Sequence, residues 1–292
     1  MVLNAKTRLF SFDILSSITI KDVLILGERV LAKKIVITSG KGGVGKTTVT
    51  ANLGIAIANL GLRVALVDVD FGLNNLDVVM GVENKVVYDI ADVLEGRCRV
   101  RQALIQDSER KNLFVLPSSN VPAYTNLSGQ NLKLLLEGIS GVFDYLLIDC
   151  PAGIDAGFHR AVSCSDGALI VTTPSLPSLR DADKVVGILK SYKMDNVGLI
   201  INRVRGDLIV GGKMMLPFDI ESLLKAELVG VLPEEDDVFL SCGYSLPKTS
   251  DSYKAYKILA NNVVKNKKKI FDVTDKYTGF LGSIRRGLKK TL

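Results

Sequence analysis

The chain has 292 residues, 47% of them hydrophobic and 23% charged, enough for a sizeable core in one large α/β domain or two small ones. No run of about 18 apolar residues occurs, so no segment reads as a membrane-spanning helix. Cys98, Cys150, Cys164 and Cys242 form no C-x-x-C pair and are expected as reduced thiols. The net charge of +6 is not evenly spread: residues from Lys265 to Leu292 hold nine Lys/Arg and two Asp, a net +7, so residues 1–264 sum to −1. A neutral body argues against a core surface that coats nucleic acid, while the basic end points to a polyanion, either nucleic acid or an anionic membrane.

Residues 1–32 show no clean period and lack the basic start, apolar stretch and cleavage site of a signal peptide. Asp13, Asp22 and Glu28 also speak against an organelle transit peptide. From Lys33 the pattern becomes regular. KKIVITS is a short apolar strand, SGKGGVGKTT a glycine-rich loop, and TTVTANLGIAIANLG a helix closed by Gly61. RVALVDVD, NLFVLP, FDYLLID, DGALIVTT, NVGLIIN and LVGVLP are further buried strands, with helical stretches between most of them. Continuous apolar strands alternating with helices predict a three-layer α/β fold: a mostly parallel, twisted sheet covered by helices on both faces. The expected division is an N-terminal extension (1–32), a nucleotide-binding domain (33–264), a basic linker (265–277) and a terminal amphipathic helix (278–292).

The loop matches G-x-x-x-x-G-K-[ST] through Gly40, Gly45, Lys46 and Thr47, and it lies between a strand and a helix, as a phosphate-binding loop must. Its glycines let successive N–H groups point at a β-phosphate, and the helix N-terminus adds partial positive charge. Lys46 supplies a point charge for the β- and γ-phosphates, and the Thr47 hydroxyl can ligate Mg²⁺. Gly40, Lys41, Gly42, Gly43, Val44, Gly45, Lys46, Thr47 and Thr48 are the candidate contacts to ATP. Lys41 is surplus to that pattern. It stands too early to reach phosphates wrapped by its own loop, but it can reach across a symmetric interface to the nucleotide of a second copy.

K-G-G-x-G-K-[ST]-T resembles the loop of the deviant P-loop ATPases, the MinD/ParA family. Within it the sequence is similar to the septum-site-determining MinD branch, in SGKGGVGKTT, DVDFGLNNLDVVMG, VVYDI, DCPAGID, TTP…LRDADKVVGIL and the basic terminus. The resemblance spans about Lys33 to Leu292. It implies an ATP-sandwiched homodimer in which Lys41 touches the partner's phosphates and acts in trans, like an arginine finger. It assigns Asp68 to the water shell of Mg²⁺, Asp70 to the attacking water and Asp149 to the same Mg²⁺ shell from a switch loop. Three carboxylates at the ends of neighbouring strands beside such a loop also read as a metal site on their own. Asn202 and Pro233 match the places where the family holds adenine. His159, the one histidine, is expected as a partly exposed helix residue.

The resemblance further implies recruitment of the division inhibitor MinC and, where it is present, release by MinE. The implied location is the inner face of a bacterial cell membrane, or the plastid envelope seen from the stroma. A flagellar-number regulator of similar sequence, a ParA-type partitioning ATPase and an ATP-gated scaffold remain as alternatives. The neutral body weighs against partitioning, and nucleic acid is not expected as a partner. An iron–sulfur carrier of this superfamily lacks its C-x-x-C here, and a tyrosine autokinase its tyrosine cluster.

The terminus has its own pattern. At ~100° per residue, Phe280, Leu281, Ile284 and Leu288 share one arc, and Arg285, Arg286, Lys289 and Lys290 fill the rest. That is a helix made to lie in an anionic membrane interface; a helix packed on the body with a basic outer face is the competing reading. One such helix binds marginally, whereas two on a dimer act together with avidity of about 10²–10⁴. At the other end, Leu31 occupies the place of the family's first methionine. A TTG codon there reads as leucine internally and initiates as methionine in bacteria, so the native chain is expected to begin at Leu31, with a regulatory arm as the alternative.

Overall fold

The structure is a computed structural model describing residues 31–72, 75–119, 128–241, 245–279 and 282. In chain order the elements are β1 (Lys33–Thr38), α1 (Lys46–Ala58), β2 (Val64–Asp68), α2 (Leu76–Val79), α3 (Ile90–Leu94), α4 (Val100–Ala103), β3 (Ile105–Gln106) and β4 (Leu113–Leu116). There follow α5 (Gly129–Ser140), β5 (Tyr145–Asp149), α6 (Ala156–Ser163), β6 (Gly167–Thr172), α7 (Leu176–Ser191) and β7 (Val197–Val204). The last are α8 (Gly206–Val210), α9 (Pro217–Leu224), β8 (Glu227–Pro233), α10 (Asp236–Leu240) and α11 (Asp251–Lys265). The strands among the described residues form one sheet in the order β3-β4-β2-β5-β1-β6-β7-β8, parallel except for the short β3–β4 edge pair.

Why the strands read as unbroken apolar runs is visible in their alternation. Ala65 and Val67 of β2 join a core under α5, α6 and α7, while Val64 and Leu66 join a second core under α1 and α11. In β5, Leu146 and Ile148 face the first core, and Tyr145 and Leu147 the second. Both faces are buried, so both alternating sets must be apolar. Each buried Leu or Ile contributes about 1.5–3 kcal/mol. The expected three-layer fold is therefore the one found. Its boundaries differ slightly: β7 runs two residues past Asn202, and β2 ends at Asp68, two residues before Asp70.

The order of the strands positions the site. β1 is central, with β5 and β2 on one side and β6, β7 and β8 on the other. Connections leave in opposite directions around it, which opens a crevice at the carboxyl ends of the strands.

The lysine-rich segment after α11 is folded against the body. Asn266 takes a left-handed conformation (φ 49°) and reverses the chain. The Asn262 amide donates to Val229 O (2.9 Å) and Lys269 O (2.6 Å). Lys268 pairs with Glu227 at the start of β8 (2.8 Å), and Lys276 pairs with Glu235, just beyond its end (3.2 Å), and with Asp251 (2.7 Å). Val273 and Tyr277 are buried. The segment thus climbs alongside β8, about 20 Å at ~3.3 Å per residue, and leaves the exposed lysines 267–269 at the opposite end of the sheet from the crevice. Residues 1–30 and the side chains proposed for membrane contact, from Phe280 to Lys290, lie outside the described residues.

Candidate nucleotide site at the strand ends

β1 passes into α1 through residues 39–45. Gly43 (φ 79°) and Gly45 (φ 98°) adopt left-handed backbone that residues with a Cβ seldom take. Gly45 is constrained twice, because a Cβ there would lie 2.5 Å from Asn202 Nδ2. At Gly40 the constraint is contact: a Cβ would sit 2.3 Å from the carbonyl oxygen of Asp181 in α7. The Ser39 hydroxyl donates to Lys41 O (2.8 Å), and Asn202 Nδ2 donates to Val44 O (2.8 Å). The curl is thereby tied near both ends. First-turn N–H groups of a helix have no acceptor within it, and α1 presents its own at the mouth of this curl. Lys46 is sunk within the site at 8% exposure, whereas Lys41 stands exposed on the rim.

The carboxylates come from neighbouring strands. Asp149 ends β5 and pairs in register with Asp68 of β2 and Ile37 of β1. Asp68 accepts from the backbone N–H of Asp70 (2.9 Å) and of Leu76 (3.3 Å). Asp149 accepts from the Thr50 hydroxyl at 3.0 Å. Burial pushes Asp149 up to about 6, against the lowering influence of the Thr47 and Thr50 hydroxyls and the charge of Lys46. Burial, then the facing Asp149, raises Asp68 well above the usual carboxylate range. Half-buried Asp70 is raised by desolvation, lowered by Lys46 and raised by Asp155. Two buried acids side by side, with a hydroxyl above them, would be relieved by a divalent cation. Among the described residues no group of three or more His, Cys, Asp or Glu makes a metal cage by itself. A few hard oxygen donors that leave room for water and phosphate fit Mg²⁺, which prefers that arrangement.

On the other side of β1 the strand ends are neutral. The β7–β8 register slips between Ile201 and Val204, and Arg203 takes φ 56°. Such a bulge re-aims a side chain, and here it accompanies Asn202 turned onto the loop. Asn202 and Pro233 line a cleft of about 390 Å³ together with Arg203, Glu234 and Glu235, and the cleft continues into the loop at Gly45 and Thr48. All the residues expected to hold nucleotide or metal therefore converge at one end of the sheet. His159 is exposed on α6, its Nδ1 2.8 Å from the Tyr192 hydroxyl. Thr50 and Arg203 were not expected. Thr50 follows Thr47 by three residues and so shares its helix face, a spacing visible in the sequence; the strained backbone of Arg203 carries no sequence signal. Cys98, Cys150 and Cys164 are free thiols.

The profile of the CobQ/CobB/MinD/ParA nucleotide binding domain matches residues 35–246. A septum site-determining protein MinD of Bacillus subtilis is 41% identical over 237 residues, covering 80% of this chain and 88% of that one. The chain belongs to the MinD family. Among solved structures, the MinC:MinD cell division protein complex of Aquifex aeolicus matches with a TM-score of 0.75 at 42% identity, covering 81% of this chain and 97% of that one. MinD of Pyrococcus horikoshii, complexed with Mg-ADP, matches with a TM-score of 0.73 at 30% identity, covering 81% and 97%. The nucleotide-binding fold and the septum-site family read from the sequence are therefore established for this chain.

Proposed function

We propose that the protein hydrolyses ATP as a homodimer that assembles on an anionic membrane surface, recruits MinC to block division there, and is reset by hydrolysis. The observation that carries this reading is the loop itself: a left-handed glycine curl around a buried Lys46, backed by paired buried carboxylates. Lys46 neutralises phosphate charge. Thr47, Asp68 and Asp149 would hold Mg²⁺, which would supply charge neutralisation at the transferring phosphoryl group. Asp70 orients and accepts a proton from the attacking water; desolvation, which raises its carboxyl, makes it a better base. Asn202 uses its N–H on Val44 O and so offers its carbonyl oxygen to the base, an acceptor that suits the amino group of adenine.

Lys41 acts in trans. Its neighbours Gly40 and Gly42 abut α7 and the 150–155 loop, and these two segments carry the exposed apolar side chains Leu176 and Ile154. Apolar side chains rimming a charged site suit a second copy. The MinC partner is inferred from the Aquifex complex. MinE, where present, is the expected release factor. No helix among the described residues is long and apolar enough to cross a membrane, which suits peripheral attachment through the terminal residues.

Single-turnover hydrolysis and sedimentation with anionic vesicles test this reading together. Lys41→Ala is expected to bind nucleotide as a monomer yet lose ATP-dependent dimerisation, hydrolysis and vesicle binding, whereas Lys46→Ala loses nucleotide binding itself. Normal dimerisation and turnover by Lys41→Ala would sink the in-trans role.

A further inference from the structure

Thr50 is fully buried in α1, one turn beyond Lys46. Its Oγ lies 3.0 Å from Asp149 Oδ1 and 3.0 Å from the Lys46 carbonyl oxygen. A hydroxyl has one proton to give, and back-bonding to the carbonyl four residues earlier is the ordinary habit of threonine in a helix. Here the second acceptor is a carboxylate, which takes the shorter and stronger bonds once ionised. The Lys46 carbonyl already has its place in the helical ladder. The proton therefore goes to Asp149.

Thr47 and Thr50 are three residues apart, on one face of the helix, and it is Thr50 whose hydroxyl bonds to Asp149. Their situations differ. Thr47 is half-buried at the loop, where a cation would draw on its oxygen, whereas Thr50 has no solvent side. Thr50 can therefore hold Asp149 while the Thr47 oxygen stays open to a metal. A carboxylate that receives a metal-bound water must point in one direction, and a single terminal bond would let it swing toward the facing Asp68.

We propose that Thr50 is a positioning residue for Mg²⁺: its buried hydroxyl locks the Asp149 carboxylate toward the metal's water shell, and so sets how strongly Mg²⁺ tightens nucleotide binding. This rests on the Mg²⁺–nucleotide reading of the site. Thr50→Val keeps the shape and removes the donor, and Thr50→Ser keeps the donor. ADP affinity is measured by calorimetry for each protein, once with Mg²⁺ and once with EDTA. In Thr50→Val the tightening by Mg²⁺ is expected to shrink on the order of tenfold, the size of one hydrogen bond to a charged group. Affinity in EDTA stays within about twofold of wild type, and serine restores the Mg²⁺ effect. If valine does not fold, alanine against serine gives the same comparison. Undiminished tightening in the donor-less variant, or equal weakening with and without Mg²⁺, overturns the role of Thr50. If Mg²⁺ fails to tighten ADP binding even in wild type, the Mg²⁺ reading falls first and this inference with it.

Discussion

The two halves of the sheet on either side of β1 end in opposite chemistry. Towards β5 and β2 the strand ends carry Asp149 and Asp68, buried, facing each other and raised by desolvation. Towards β7 and β8 they carry Asn202 and Pro233, neutral groups bordering a cleft, one of them tied to the loop by a 2.8 Å hydrogen bond. The loop straddles the divide. On the proposed function, the difference would divide the work: charge handling on one side of β1, the hold on the base on the other. Buried acids without a cation are costly and are retained where charge must be handled, whereas a neutral amide fixes shape at little electrostatic cost. Changes at Asp70 should act on the chemical step, changes around Asp149 on the Mg²⁺-dependent part of binding, and changes on the amide side on the hold of the base.

The largest expected effect breaks the comparison if it fails. Asp70→Ala should slow hydrolysis on the order of 10²-fold while ATP affinity changes less than about threefold. Rapid-quench turnover and equilibrium nucleotide binding separate the two. On the other half, Asn202→Ala should weaken ATP binding about tenfold, since it both frees the loop and removes an acceptor for the base. Hydrolysis at saturating ATP should then stay within about threefold of wild type, and ATP should lose part of its preference over GTP. A large fall in saturated turnover with unchanged affinity would reverse the assignment of the halves.

The smallest effect concerns pH. The Asp149 carboxyl titrates near 6 in the folded chain, against about 3.9 unfolded. A raised acid stabilises the fold when protonated, and that contribution is lost as pH rises towards 6 and beyond. Asp68 shifts in the same direction. The melting temperature of the nucleotide-free protein should therefore rise by a few degrees as pH falls from about 7 to about 5.5. Saturating Mg-ADP should flatten the trend, because the ionised pair then has its cation. A flat profile without nucleotide would mean that the two acids are better solvated than their burial indicates.

Much of this could be read from the chain. The loop, the three acids and the buried strands are local patterns, and local patterns survive in a sequence. The order of the strands is not local: every central strand is apolar on both faces, so nothing in β1 marks it as central or in β8 as an edge. Two-residue β3 is too short to show a period. The Asn202–Val44 bond joins residues 158 apart, and the Glu235–Lys276 pair residues 41 apart; neither spacing means anything until the sheet is built. The lysine-rich segment reads as a tether from composition alone, because its anchors, Val273 and Tyr277, are sparse among charges.

That segment has a geometric consequence. Lys276 is pinned to Glu235 in the wall of the cleft. Tyr277 is buried beside it, so the last described stretch of the chain is tied down at the crevice end of the sheet. The exposed lysines 267–269 stand about 20 Å away, at the far end of β8. A polyanion drawn to those lysines and a nucleotide drawn to the crevice would hold the molecule by opposite ends.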